Sequence, residues 1–356
     1  MNTDNRRNFG CFEDGVDIYN RFLPNASELH NLIAATTLVF VAVLVISTNC
    51  IALVGMKKRR IWKRQSMRFL MLLVLTDMVI GAITLPLHCI VYARPKLLKS
   101  STKLNENLRF FRTFPIILSM LTVFLIAIDR CLAILKAPLH RIYATNRSVS
   151  LVMLIAIVVA FLIGVMDFSE LLETRVKILT SMVCLGVLKT LLFMAVSIVY
   201  LMVTRSVRRT AATTRISFNN TVSPTPSYDR TFSRISMLLC ISFMVCHLPS
   251  IICHFYNASQ LIMNNCSAGS NTFYLTTWTN VPMFLNSFLN GTLLIYGNRK
   301  LKRWFVRTCI EIFEYSRNNR SISPSNLQRK NAMIADHSEQ KTIQRVAINF
   351  NVNVLR

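Results

Sequence analysis

Seven apolar stretches constrain the fold of this chain more than any other feature. Each is long enough to cross a bilayer as a helix, which takes about 20 residues. With 53% hydrophobic and 16% charged residues, the chain is too apolar for a soluble globular domain. No internal repeat is visible, so we predict an all-α membrane protein: one bundle of seven transmembrane helices. The stretches lie near residues 32–56, 68–92, 108–135, 148–168, 178–204, 232–256 and 272–296.

The orientation follows from the basic residues, which concentrate in the cytoplasmic loops of membrane proteins. Seven Lys and Arg residues lie in segment 57–68, and segments 205–230 and 299–307 are also basic, whereas the basic segment 94–112 disagrees. The majority predicts a multi-pass plasma-membrane protein with an extracellular N-terminus. Basic flanks of this kind face anionic lipid, so the net charge of +25 indicates contact with membrane lipid and not with nucleic acid.

Charged and amide side chains recur at particular places inside the apolar stretches. In the third stretch, Asp129-Arg130 follows an apolar run from about Thr113 to Ile128, and an arginine so close to hydrocarbon is costly enough to indicate function. The second stretch carries Asp77 in mid-span. The first, sixth and seventh contain Thr48-Asn49-Cys-Ile-Ala-Leu-Val54, Phe243-Met-Val-Cys246-His247-Leu-Pro249 and Leu285-Asn286-Ser287-Phe-Leu-Asn290-Gly291.

In this order and spacing, these motifs resemble those of rhodopsin-like (class A) G-protein-coupled receptors, across roughly residues 31–317. The resemblance implies a receptor that couples an extracellular ligand to a heterotrimeric G protein, with arrestin and a receptor kinase as further partners. The rival class is a seven-helix transporter or channel, but transporters tend to show internal repeats. No motif of an intramembrane enzyme is present, so we predict that the protein is not an enzyme.

The resemblance also implies a switch at the end of the third helix. Arg130 would be held by Asp129 and by Asp229, and Tyr200 is the tyrosine that the family retains on the fifth helix. Breaking an Arg130–Asp229 bridge would let the sixth helix swing outward about the kink at Pro249. The alternative is that Asp229 is a solvated residue at the end of its loop and forms no bridge with Arg130.

A polar network is expected around Asp77, because a buried carboxylate neutralises itself or finds partners. In the family such a network holds a sodium ion, and hard cations prefer oxygen ligands. The resemblance therefore implies a sodium site that includes Asp77 and Ser119, and the alternative is a water-filled network without an ion. The residues of this network are Asn49, Asp77, Ser119, Asn286, Ser287 and Asn290.

The chain departs from the family pattern, which makes it a divergent, orphan-like member. Asn105 stands where the family has a disulfide cysteine, and Gly291 replaces a proline. Cys11 and Cys266 are the two clearly extracellular cysteines and therefore the expected disulfide pair, and the alternative is that they are not bonded. Beside the toggle residue Phe243, His247 replaces a tryptophan and is either a core histidine or a pH sensor.

Positive charge is expected at the outer end of the bundle. By helical arithmetic, Arg112 and Arg130 share a stripe with Ser119 to within roughly 20°. A basic pocket favours an acidic small molecule, lipid or peptide as the ligand. The alternative is that these basic residues pair with acids of the same chain, namely Glu106, Asp167, Glu170 or Glu173. The predicted pocket residues are His88, Arg109, Arg112, Lys189, His254 and Trp278.

Four segments are expected: an extracellular tail (1–31), the receptor domain (32–297), an amphipathic eighth helix (298–314) and a cytoplasmic tail (315–356). Cys309 on the eighth helix is either palmitoylated or an apolar contact. The sequons at Asn25, Asn257 and Asn265 are predicted glycosylation sites on the outer side.

Overall fold

The computed structural model describes residues 28–61, 65–93, 102–135, 145–168, 174–216, 227–263 and 269–320. These ranges are helical almost throughout, and no strand occurs within them. Every apolar stretch predicted above falls inside one helix. The helices are α1 (Glu28–Lys58), α2 (three consecutive parts, Gln65–Val79, Ile80–Thr84 and Leu85–Ala93), α3 (Thr102–Leu135), α4 (Asn146–Phe168), α5 (Thr174–Ile216), α6 (Ser227–Ile262), α7 (Gly269–Gly297) and α8 (Arg299–Arg320).

The helices are longer than the apolar stretches that predicted them. The largest difference is at the end of α5, which continues to Ile216, and α6 likewise begins before its apolar stretch, at Ser227. Arginine and other charged or polar residues dominate these extensions, so a search for apolar stretches does not include them. They nevertheless continue a helix, since backbone hydrogen bonding does not depend on side-chain polarity.

Six of the described helices, α1 to α6, are each long and apolar enough to cross a membrane. The seventh, α7, is absent from that set because amide and hydroxyl residues interrupt its apolar sequence. Several of those polar side chains are buried, among them Asn286, Ser287 and Asn290. The polar side chains of α7 therefore face the other helices.

The bundle places polar groups inside and apolar groups outside. Asn49, Asp77, Ser119 and Arg130 are buried, while α4 exposes large apolar side chains such as Leu154 and Phe161. In water this arrangement would be unfavourable, but in lipid the outer side chains meet hydrocarbon and buried polar groups find partners in the bundle.

The middle part of α2, Ile80–Thr84, is a π-helical turn. Gly81 in this turn lets α2 approach α1 closely, because a Cβ there would lie 2.9 Å from Ile46 Cγ1. On the same turn, the Thr84 hydroxyl donates a hydrogen bond to the carbonyl oxygen of Phe111 in α3, at 3.1 Å. The π-helical turn therefore contacts both α1 and α3 near the middle of α2.

The α7 helix ends where a side chain could not be accommodated, since a Cβ on Gly297 would lie 2.4 Å from Ile235 Cγ1 of α6. Asn298 follows and caps α8, its Oδ1 accepting hydrogen bonds from the backbone nitrogens of Lys300 (3.0 Å) and Leu301 (3.4 Å). Farther along α8, Arg307 and Glu311 form an exposed ion pair one turn apart.

Candidate functional site

Asp77 is the centre of a buried cluster that three helices build. Its Oδ1 accepts hydrogen bonds from the hydroxyls of Ser119 (3.1 Å, α3) and Ser287 (2.8 Å, α7). Its Oδ2 accepts one from Asn290 Nδ2 at 2.9 Å. All four side chains are buried. A carboxylate with three donors is a well-satisfied buried group, and it fixes the depth of α2, α3 and α7 relative to one another.

Asn49 connects α1 to this cluster. Its Nδ2 donates to the backbone oxygens of Val45 (2.9 Å) and Ser287 (3.0 Å). Its Oδ1 is buried without a hydrogen-bond partner, and so is Oδ1 of Asn290. The cluster thus holds two unsatisfied amide oxygens in addition to the Asp77 carboxylate. This donor set suits a hard cation such as sodium, which takes oxygen ligands.

Asn286, predicted to belong to the same network, has a different partner. Its Oδ1 accepts a hydrogen bond from the Ser242 hydroxyl of α6 at 3.1 Å. Asn286 lies one residue before Ser287, so the polar residues of α7 divide between two neighbours. Ser287 and Asn290 bond to α2, and Asn286 bonds to α6.

At the other end of α3, Asp129 and Arg130 form a buried pair. Arg130 Nε donates to Asp129 Oδ2 at 3.0 Å, and Nη2 of the same guanidinium donates to the same oxygen. Arg130 also lines a small cavity between α3, α5 and α6, together with Tyr200, Ser236 and Cys240. The side chain of the predicted second partner, Asp229, lies outside the described residues.

Phe243 and His247 form a tilted stack one turn apart on α6, with ring centroids 4.4 Å apart and an angle of 35° between the ring planes. Both side chains are buried, and Nδ1 of His247 has no hydrogen-bond partner. Pro249 follows two residues later, inside the helix, where it removes one backbone hydrogen bond. The predicted toggle residues therefore lie together next to the predicted kink.

Lys189 and His254 meet between α5 and α6. The two side chains are 3.2 Å apart from Nζ to Nε2, and His254 Nδ1 lies 2.8 Å from the carbonyl oxygen of Ser250. A carbonyl oxygen can only accept, so Nδ1 carries the proton and Nε2 accepts from Lys189. Gly186, one turn before Lys189, lies against His254 with ordinary contact distances. Lys189 is itself buried.

A second group of predicted pocket residues lies at the α2–α3 side. His88 is buried and packs edge-on against Phe284 of α7, with ring centroids 5.0 Å apart. Arg112 of α3 is half-buried and close enough to act electrostatically on His88. Arg109, almost one turn earlier on α3, is half-buried as well.

Trp278 is not part of either group. It is 43% exposed and packs edge-on against His30 of α1, with ring centroids 5.9 Å apart. Nine residues separate it from Ser287, which turns the two side chains to opposite faces of α7. The structure therefore places Trp278 at the α1 edge of the bundle and not beside Lys189 or Arg112.

The predicted covalent modifications fall mostly beyond what the structure describes. Cys11, Cys266, Asn25 and Asn265 lie outside the described residues. Cys309 is exposed on α8 and its thiol is free. Asn257 lies within α6, where its Nδ2 donates to Thr276 Oγ1 of α7 at 2.8 Å. A glycan on Asn257 would have to replace this bond, so the geometry argues against that predicted site.

Sequence reasoning missed the residues that join α6 to α7. Ser242 of α6 and Thr276 of α7 are not among the residues that the sequence predicted for the site. Cys253 completes a small group with Thr276 and Asn257, its Sγ lying 3.4 Å from Thr276 Oγ1. Polar side chains within apolar stretches could have pointed to these residues. Their presence does not show which helices they connect.

Comparison with known protein families confirms the resemblance seen in the sequence. The model of a family described as 7 transmembrane receptor (rhodopsin family) matches residues 48–293. The matched region is more than half of the chain and includes the whole Asp77 cluster, the Asp129–Arg130 pair and the Phe243–His247 stack. No curated protein sequence matches the chain significantly.

Proposed function

The chain belongs to the rhodopsin family of seven-transmembrane receptors, and we propose that it transmits the binding of an extracellular acidic ligand to a heterotrimeric G protein through outward movement of α6. Members of this family are signalling receptors and not enzymes, and in general they pair an extracellular ligand with an intracellular G protein. The seven-helix bundle is the fold that this function requires.

The orientation that suits this function has the N-terminus outside the cell and the Arg130 end of α3 in the cytoplasm. In the sequence, the basic segments near residues 57–68, 205–230 and 299–307 follow the first, fifth and seventh helices, and the concentration of basic residues in cytoplasmic loops favours this orientation. The plasma membrane is the expected location. Arrestin and a receptor kinase would meet the same end, and palmitoylation of Cys309 would hold α8 at the membrane surface.

The buried Arg130, beside the cavity between α3, α5 and α6, is the observation that carries the proposal. A guanidinium held by a neighbouring carboxylate can exchange partners when the helices separate. Tyr200 lines the same cavity and offers a hydroxyl within the reach of such a rearrangement. Widening the cavity by moving α6 would open a cleft for the G protein.

The α6 helix has the parts of a lever. Pro249 provides a kink, and the Phe243–His247 stack lies directly on the cytoplasmic side of it. The Ser242–Asn286 hydrogen bond then ties this level of α6 to α7. We expect the resting state to retain this bond and the active state to lose it.

A sodium ion is the proposed occupant of the Asp77 cluster. Asp77, Ser119, Ser287 and Asn290 would supply the oxygen ligands, and the unpartnered Oδ1 of Asn290 supports this assignment. Bound sodium would add positive charge beside the carboxylate and hold α2, α3 and α7 in the resting arrangement. The Asn49 oxygen, also without a partner, would complete the polar lining at α1.

A cell assay of G-protein activation tests the switch. The parent is compared with Arg130→Ala and Asp229→Ala, with Arg68→Ala as an arginine control that bonds to α4 and does not line the cavity. We expect lower activation from Arg130→Ala, higher basal activation from Asp229→Ala and parent-like activation from Arg68→Ala. Equal basal signalling in all variants at matched surface expression would rule out the proposed lock.

A further inference from the structure

Pro115 interrupts the backbone hydrogen bonding of α3. The proline is buried and lies inside the helix. In an α-helix each carbonyl oxygen accepts a hydrogen bond from the N–H four residues later, and the residue four places after Phe111 is Pro115, which has no N–H. The carbonyl oxygen of Phe111 therefore lacks the donor that an uninterrupted helix would provide.

Thr84 of α2 supplies a donor to this carbonyl oxygen from outside the helix. Its hydroxyl donates to the oxygen of Phe111 at 3.1 Å, and its side chain is fully buried. The buried hydroxyls of Thr76 and Thr122 donate to carbonyl oxygens of their own helices, as threonine in a helix commonly does. Thr84 instead satisfies a carbonyl group of the neighbouring helix, and that group is the one whose helical donor Pro115 removes.

Two hydrogen bonds join α2 to α3, one on each side of Pro115. Phe111 comes four residues before the proline and accepts from Thr84. Ser119 comes four residues after it and donates to Asp77 at 3.1 Å. A helix bends most readily at a proline, where one backbone hydrogen bond is missing. The second helix therefore holds the third on both sides of the point at which it can bend.

The parts of α3 on the two sides of Pro115 carry different predicted residues. The outer part, residues 102–114, contains Arg109 and Arg112 of the predicted ligand pocket. The inner part, residues 116–135, ends near the Asp129–Arg130 pair. A bend at the proline would thus move the pocket arginines relative to the predicted G-protein switch.

We propose that Thr84 is a positioning residue that closes a hinge in α3 at Pro115, and that ligand binding opens this hinge. The regulatory part of the proposal rests on the proposed receptor function, because it assigns the closed hinge to the resting receptor. In that state the bond from Thr84 to Phe111 holds the outer part of α3, with its two pocket arginines, against α2. When the hinge opens, the outer part moves while the Asp77–Ser119 bond keeps the inner part in place.

The hinge makes the hydroxyl of Thr84 important only because Pro115 is present. In Pro115→Ala the alanine N–H can donate to the carbonyl oxygen of Phe111, so the hydroxyl becomes redundant. Substitutions at the two positions should therefore be non-additive, as expected of residues that act on the same group. A role of Thr84 in general packing predicts additive effects instead.

The experiment measures amide hydrogen exchange by mass spectrometry on the purified full-length receptor in lipid nanodiscs. Thr84→Val keeps the shape of the side chain and should raise the exchange rate of residues 109–114 about fivefold, the effect of losing one neutral hydrogen bond. Residues 120–128 should keep the parental rate. In the double variant Thr84→Val with Pro115→Ala, residues 109–114 should exchange no faster than in Pro115→Ala alone. Thr84→Ser retains the hydroxyl and should behave like the parent.

Thr76→Val is the matched control, because the Thr76 hydroxyl is also buried but donates to the Leu72 carbonyl oxygen of α2 itself. Its effect on residues 109–114 should be small and the same with and without Pro115→Ala. Thr84→Ala replaces Thr84→Val if the latter does not fold. Equal exchange of residues 109–114 in the parent and in the Thr84 variant overturns the hinge. An increase that Pro115→Ala does not cancel also overturns it.

Nucleotide exchange on added G protein separates the hinge from the receptor function. Loss of a bond made in the resting state shifts the receptor toward its active state, so Thr84→Val should raise basal nucleotide exchange and Pro115→Ala should cancel the increase. Basal exchange that depends on Arg130 but does not rise in Thr84→Val overturns the regulatory role of the hinge, and the receptor function stands. Amide exchange that follows the hinge, together with nucleotide exchange that no variant alters, including Arg130→Ala, supports the hinge and overturns the receptor function.

Discussion

The Ser242 hydroxyl of α6 donates a 3.1 Å hydrogen bond to Asn286 Oδ1 of α7. The bond lies next to Phe243 on α6 and next to Ser287 on α7. It therefore connects the aromatic stack of α6 with the residue that bonds to Asp77. Any outward movement of α6 at this level has to break it.

We predict that Ser242→Ala raises basal G-protein activation. Loss of one neutral hydrogen bond costs the resting state about 1 kcal/mol, which shifts a two-state equilibrium about fivefold toward the open form. Basal activation in cells measures this shift. Thr122→Ala is the control, because the Thr122 hydroxyl donates to the Leu118 carbonyl oxygen of its own helix. Equal basal activation in Ser242→Ala and the parent would show that the bond does not restrain α6.

Sodium should stabilise the purified receptor through Asp77. We expect Tm to rise when choline chloride is replaced by sodium chloride at constant ionic strength, since a bound cation stabilises the folded state by mass action. Asp77→Asn should abolish the difference, because an amide lacks the charge that attracts the ion. Asp129→Asn, which neutralises the other buried aspartate on α2 and α3, should preserve it. A sodium effect that survives in Asp77→Asn would place the ion elsewhere.

Gly291→Ala should destabilise the bundle by about 1–3 kcal/mol. A Cβ at this position would lie 3.0 Å from Asn49 Oδ1 and 3.2 Å from Thr48 Oγ1, so these two side chains of α1 would have to shift, and Asn49 is held by its two hydrogen bonds. Gly186→Ala is the matched control, since its nearest contact would be an ordinary 3.6 Å and alanine favours the helix. Thermal unfolding in nanodiscs compares the two. A Tm of Gly291→Ala at or above that of Gly186→Ala would contradict the close packing at Asn49.

We expect Asn257 not to carry a glycan. Its Nδ2, the atom to which a glycan would attach, donates to Thr276 Oγ1 within the bundle. Asn257→Gln should therefore leave the electrophoretic mobility of the cell-surface protein unchanged. Asn25→Gln and Asn265→Gln should each increase it if those sequons are used. A mobility increase in Asn257→Gln that matches removal of one glycan by amidase would show that the bond to Thr276 does not persist in cells.

Much of the candidate site could be predicted because single residues in apolar helices are informative. A carboxylate such as Asp77 in mid-span has few stable settings, so its partners had to be hydroxyls and amides of neighbouring helices. The same reasoning was insufficient for Asn286, which pairs with Ser242 and not with Asp77. It also misplaced Trp278, because an aromatic residue in an apolar helix fits a pocket, a helix contact or a lipid face equally well.

The sequence by itself determined the seven helices, the polarity of the inner face and the family, because hydrocarbon permits only helices here and tolerates polar groups only at a few buried positions. The tertiary structure alone decided which polar groups meet. The π-helical turn in α2, the close approach at Gly291 and the unpartnered Nδ1 of His247 depend on the rotation and depth of whole helices. Those quantities are set by packing across the bundle and leave no pattern within any one helix.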